Sequence, residues 1–129
     1  MAVAASYGDV NSGELDVAYG KLQREWKGKV IRLESNRRSG LSDFILINPR
    51  ATFMTEVKGI AHEAISLPIT APQCEFLDSV TEHGGHARLL VLCNGEWWCG
   101  EGPFLVNFHL QARRVFDMAP RRLFDVNDL

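Results

Sequence analysis

Two runs of strand-forming residues, "LSDFILIN" and "ATFMTEVK", stand on either side of Pro49-Arg50, and this pairing constrains the chain more than any other feature. Aliphatic, aromatic and β-branched residues suit a pleated, half-buried surface, and proline is favoured at the second position of a tight turn. The expected structure is therefore a hairpin. With the turn centred between Pro49 and Arg50, as in a two- or four-residue loop, cross-strand partners have numbers that sum to 99. Asp43 then faces Glu56. Side chains alternate along a strand, so Lys58 shares the face of Glu56, while Phe44, Leu46, Phe53, Thr55 and Val57 point the other way. A three-residue loop would break this opposition.

Directly opposed residues have Cβ atoms only about 5 Å apart, so two carboxylates and one ammonium would converge. Two carboxylates that close repel each other unless a cation lies between them. A divalent ion resolves the conflict. Hard oxygen ligands in an incomplete protein cage suit magnesium or manganese, which retains waters and takes up phosphate oxygens. Such an ion lowers the pKa of a bound water and stabilises charge on a scissile phosphate, with Lys58 placed to orient or deprotonate that water. The competing reading makes Asp43 and Glu56 residues of a solvent face, with Lys58 as their salt-bridge partner.

The remaining chain supplies the framework. Its 129 residues, 46% hydrophobic and 23% charged, suit a single domain with a real core and leave no room for a second domain. Leu15, Ala18, Tyr19, Leu22 and Trp26 fall at helical spacing, with Ser12 as N-cap and Gly28 as stop. "KVIRLES" alternates as a strand before the polar loop "SNRRSG". A second helix is expected from Thr70, with Phe76, Leu77 and Val80 on one face and Gly84 or Gly85 as its cap, followed by the apolar strand "ARLLVLC". Asn94-Gly95 should fold "EWWCG" back as a hairpin. Leu105, Phe108, Ala112, Val115 and Phe116 predict one helix before Pro120. The order α-β-β-β-α-β, then a hairpin arm and a helix, predicts an α/β fold with a mixed sheet flanked by helices.

Charge and cysteine usage narrow the chemistry. The net charge of −2 does not fit a basic nucleic-acid coat, yet Arg32, Arg37, Arg38, Arg50 and Lys58 cluster around the first hairpin, and Arg113, Arg114, Arg121 and Arg122 lie near the end. Such patches are compatible with a phosphate-backbone partner. Cys74, Cys93 and Cys99 form no CxxC pair and read as buried small hydrophobes in a reducing compartment. A zinc site drawn from His83, His86, Cys93 and Cys99 matches no common finger or ribbon spacing. No apolar stretch approaches membrane-spanning length, and the start lacks a signal-peptide pattern, so an intracellular, cytoplasmic protein is expected.

Asp43, twelve intervening residues and then Glu56-Val57-Lys58 resemble the signature of the PD-(D/E)XK nuclease superfamily. The match is closest to its VRR-NUC group, in Gly40-Leu41-Ser42-Asp43, Glu56-Val57-Lys58, Gln73 opening the next helix and Gly84-Gly85 before "ARLLVLC". Ser42 stands where proline is usual, and Leu77 replaces the tyrosine of the RecB-like glutamine motif. The resemblance covers residues 12–93 and implies a restriction-endonuclease-like αβββαβ core in a single nuclease domain, with the hairpin arm and C-terminal helix over 94–120. By resemblance, Asp43 and Glu56 with the Val57 carbonyl would hold Mg2+ or Mn2+, and Lys58 would be the catalytic lysine. Gln73 would position the catalytic water or the active-site groups, although Thr70-x-x-Gln73 is also a capping box. Glu14 is the favoured acidic residue of the first helix, with Glu25 and Glu34 as alternatives. Arg37, Arg38 and Arg50 could contact DNA phosphates. The implied activity is that of a metal-dependent DNA endonuclease, like stand-alone bacterial and phage nucleases acting on branched DNA such as Holliday junctions, and a homodimer is expected. A nuclease cutting or nicking linear duplex is the alternative, as is a non-catalytic DNA-binding protein that keeps the fold.

Overall fold

The structure, a computed structural model, describes residues 2–33 and 44–129, with side chains from residue 13 onward. The elements run α1 (Ala2–Glu25), β1 (Lys29–Arg32), β2 (Phe44–Ile47), β3 (Thr52–Ile60), α2 (Ala71–Glu82), β4 (His86–Cys93), β5 (Glu96–Gly100), α3 (Phe104–Leu110), α4 (Val115–Met118), β6 (Arg121–Leu123) and a 3-10 turn at Val126–Asp128. One six-stranded mixed sheet carries them in the order β1-β2-β3-β4-β5-β6. Among the described strands only β3 and β4 pair in parallel, as expected where a helix provides the crossover between them. The fold is α/β, a mixed sheet flanked by helices.

The first hairpin has the anticipated register. Phe44 pairs with Thr55, Ile45 with Met54, Leu46 with Phe53 and Ile47 with Thr52, so every described pair sums to 99. The loop is a four-residue one closed by Asn48, whose Oδ1 accepts from the backbone N–H groups of Arg50 and Ala51, both at 2.9 Å. This Asx turn fixes the phase of both strands.

The sheet separates two cores. On one face α1 lays Ala18, Leu22 and Trp26 against Phe44, Leu46, Phe53, Val57, Leu90 and Trp97. On the other, α2, α3 and α4 cover Ile60, Leu89, Val91 and Cys93 with Cys74, Leu77, Phe104 and Val115. Gly59 permits the close approach of α1, because a Cβ there would stand 2.4 Å from the Glu14 carbonyl oxygen.

Three features differ from the sequence expectation. α1 runs through Ser12 back to Ala2, in keeping with the alanines of that segment, so Ser12 is no N-cap. The expected C-terminal helix is two short helices separated by Gln111–Arg114; Arg113 has φ +59°, and its carbonyl accepts the Leu67 N–H at 2.8 Å. A long-range bond thus overrides a helical pattern in which Ala112 and Phe116 are exposed. The hairpin at Asn94-Gly95 forms with φ of +55° and +78°, but it is part of the sheet, with β6 added to its edge. Trp97 is buried beneath α1, while Trp98 packs edge-on against Phe116 of α4 at 5.2 Å.

Candidate functional site

β3 presents Glu56 to the α2 side, and Glu56 is completely buried. Period-2 alternation sends Val57 into the α1 core and brings Lys58 back beside Glu56. Lys58 Nζ lies 3.2 Å from Glu56 Oε2, with the lysine side chain 12% exposed. The same oxygen accepts a hydrogen bond from Gln73 Nε2 at 3.1 Å. An ammonium and an amide therefore converge on one oxygen of a buried carboxylate.

Gln73 reaches that position because the start of α2 is fixed by a complete capping box. Thr70 Oγ1 accepts from the Gln73 N–H at 3.3 Å, and Gln73 Oε1 accepts from the Thr70 N–H at 2.9 Å. The capping oxygen holds the side-chain amide so that its NH2 group faces Glu56. The two roles considered for this residue are compatible, one on each end of the amide.

β4 runs parallel beside β3 along the whole of the stretch from Glu56 to Ile60. Val57 lies in this stretch. On the α2 face, within the field of Glu56 and Lys58, sits Cys74, whose thiol is pushed up to about 12 by burial first and then by the neighbouring carboxylates of Asp78 and Glu56. It is an inert, neutral packing group at ordinary pH.

Asp43, Arg37, Arg38 and Glu34 lie outside the described residues. Glu14 packs its backbone on Gly59, the residue after Lys58 on β3. Glu25 is engaged near the helix end, taking Lys21 at 2.5 Å and Trp97 Nε1 at 3.2 Å, and these donors hold its carboxyl below the usual range. Arg50 sits at the hairpin tip, six residues or about 20 Å of strand from Glu56, with its Nη2 3.5 Å from the Asn127 carbonyl. Arg32 stacks over Tyr19 at 4.7 Å, and Arg121 and Arg122 pair with Glu101 and Glu96.

The zinc alternative does not assemble. Cys93 and Cys99 belong to cores on opposite faces of the sheet, His83 bonds the Ser79 carbonyl, and His86, at the far end of β4 from Cys93, lies against Phe53. Among the described residues no three histidine, cysteine, aspartate or glutamate side chains gather to hold a metal ion. No described helix is long and apolar enough to cross a membrane. Neither a protein-family model nor a curated protein matches the sequence.

Proposed function

We propose that this protein is a divalent-metal-dependent DNA endonuclease of the PD-(D/E)XK type, hydrolysing phosphodiester bonds. The observation that carries the reading is the buried Glu56 with Lys58 and Gln73 on a single oxygen. A buried ion pair contributes little stability that apolar residues of similar volume would not. Its presence in the centre of a sheet therefore favours chemistry over scaffolding.

Continuing the described register by one residue would set Asp43 opposite Glu56, and the peptide bond to Phe44 tethers Asp43 to that end of β2. Asp43, Glu56 and the Val57 carbonyl would then hold magnesium or manganese, a hard-oxygen donor set that fits either ion. When bound, the ion supplies Lewis acidity toward a water and a phosphate oxygen. Lys58 orients the attacking water and offsets charge on the phosphate, while Gln73 fixes the direction in which Glu56 points. Branched DNA is the proposed substrate and a homodimer the proposed assembly, since paired cuts need two sites.

The test is incubation with labelled four-way junction, flap, single-stranded and duplex DNA in magnesium, manganese or chelator. Cleavage is expected with metal and lost in Asp43→Ala and Lys58→Ala proteins shown to be folded. Cutting that persists in chelator, or in both variants, would overturn the mechanism. DNA binding without cutting under any condition would replace it with a non-catalytic binding role.

A further inference from the structure

We infer that Arg113 is a phosphate-contacting residue, gripping the backbone of the bound DNA strand beside the scissile bond; this rests on the nuclease reading above. Among the described non-glycine residues only Asn94 and Arg113 have left-handed backbone, with φ of +55° and +59°. Asn94 is accounted for by its two-residue turn, where asparagine is preferred. Arginine has no such preference, and a strained conformation persists only where its surroundings hold it.

Three contacts hold Arg113. Its carbonyl accepts the Leu67 N–H at 2.8 Å, its Nη1 lies 3.5 Å from the Ile69 carbonyl, and its guanidinium stacks 4.6 Å from the Phe108 ring centroid. Leu67 and Ile69 belong to the segment joining the strand of Glu56 and Lys58 to the helix that begins with Thr70 and Gln73. The cation is thereby tied to the wall of the candidate site. Its field reaches Cys74, the same buried thiol that senses Glu56 and Lys58.

Among the described residues Arg113 makes no ion pair, whereas Arg121 and Arg122 in the same basic run are each matched by a glutamate. A stacked, half-buried guanidinium with no carboxylate opposite retains N–H donors in a fixed planar fork, the geometry that suits phosphate oxygens. Adjacent Arg114 is exposed and also without an ion pair among the described residues, which extends the positive surface away from the site.

The experiment measures binding of a fluorescent four-way junction with duplex arms to the full chain in calcium across 50–200 mM salt, and its cleavage in manganese, for wild type, Arg113→Gln and Arg113→Lys. One phosphate contact contributes about 0.9 to the slope of log affinity against log salt on duplex DNA. Arg113→Gln is expected to lower the slope by about that amount, while Arg113→Lys keeps most of it. A bracing role would lower the melting temperature of both variants and leave the slope unchanged, which would overturn the inference. Wild-type protein that cuts DNA beside an Arg113→Gln variant with unaltered slope and KM refutes Arg113 alone. Wild-type protein that neither binds nor cuts DNA refutes the nuclease reading, and this inference with it.

Discussion

Replacing Lys58 with methionine isolates the electrostatics of the candidate site, because methionine keeps an unbranched stem and removes only the ammonium. The Lys58 Nζ to Glu56 Oε2 distance of 3.2 Å corresponds to about 5 kcal/mol of attraction at an effective dielectric near 20. Desolvation of both groups offsets much of this in the native protein. Removing one partner does not recover the desolvation of the other, and such losses run to about 3–5 kcal/mol. Gln73 still donates to the same oxygen, at 3.1 Å, which puts the expected loss near the lower bound, at about 3 kcal/mol.

For a domain of 129 residues that is a fall in Tm of about 10 °C, measurable by thermal or urea denaturation in chelator. Combining Lys58→Met with Glu56→Gln removes both charges and should restore most of the stability. Millimolar magnesium should raise the Tm of Lys58→Met more than that of wild type, since a divalent ion offers the positive charge that the variant lacks. The double variant should not respond. A loss under about 1 kcal/mol in Lys58→Met, or a double variant no more stable than it, would refute the view that Glu56 is a buried charge held by Lys58.

Gly59→Ala would place a Cβ 2.4 Å from the Glu14 carbonyl oxygen, so α1 must move; a loss of about 2–3 kcal/mol is expected in urea titrations, and unchanged stability would disprove the close α1–β3 contact. Gln73→Glu keeps a capping oxygen for the Thr70 N–H but sets a second carboxylate against Glu56, so it should be less stable than Gln73→Ala; the reverse order would show that the cap alone matters. The Cys74 thiol rises from 9.0 to about 12 on folding. Its contribution is thus intact below pH 9 and is lost as pH climbs toward 12. Between pH 8.5 and 10.5 it should account for about 2 kcal/mol of lost stability, and an equally steep decline in Cys74→Ala would refute the assignment.

The hairpin was legible because its two strands and turn agree. Period 2 set the faces, Pro49 marked the turn, and Asn48 supplied the Asx bonds that fixed a four-residue loop. The starts of α2 and β5 were legible for the same reason: Thr70 with Gln73 and Asn94 with Gly95 specify backbone geometry within four residues. What escaped depends on distant partners. Leu105, Phe108, Val115 and Phe116 fit one helix, and the break at Arg113 depends on Leu67 and Ile69, far away in the sequence. β6 is a three-residue edge strand whose arginines make sense once Glu96 and Glu101 stand opposite.

That distinction bears on how the candidate site is built. Its described part comes from two short stretches, "EVK" on β3 and "TAPQ" at the start of α2. Glu56 is buried because β3 is a central strand with helices on both faces, and its charge is tolerated because Lys58 returns to the same face two residues later. Gln73 then couples the two stretches, since one amide both caps α2 and donates to Glu56. Loss of the Gln73 amide would remove the cap bond to the Thr70 N–H and the contact to Glu56 together. Fold stability and site geometry are therefore linked through a single side chain, and a carboxylate held in this way keeps its orientation without a metal present to impose it.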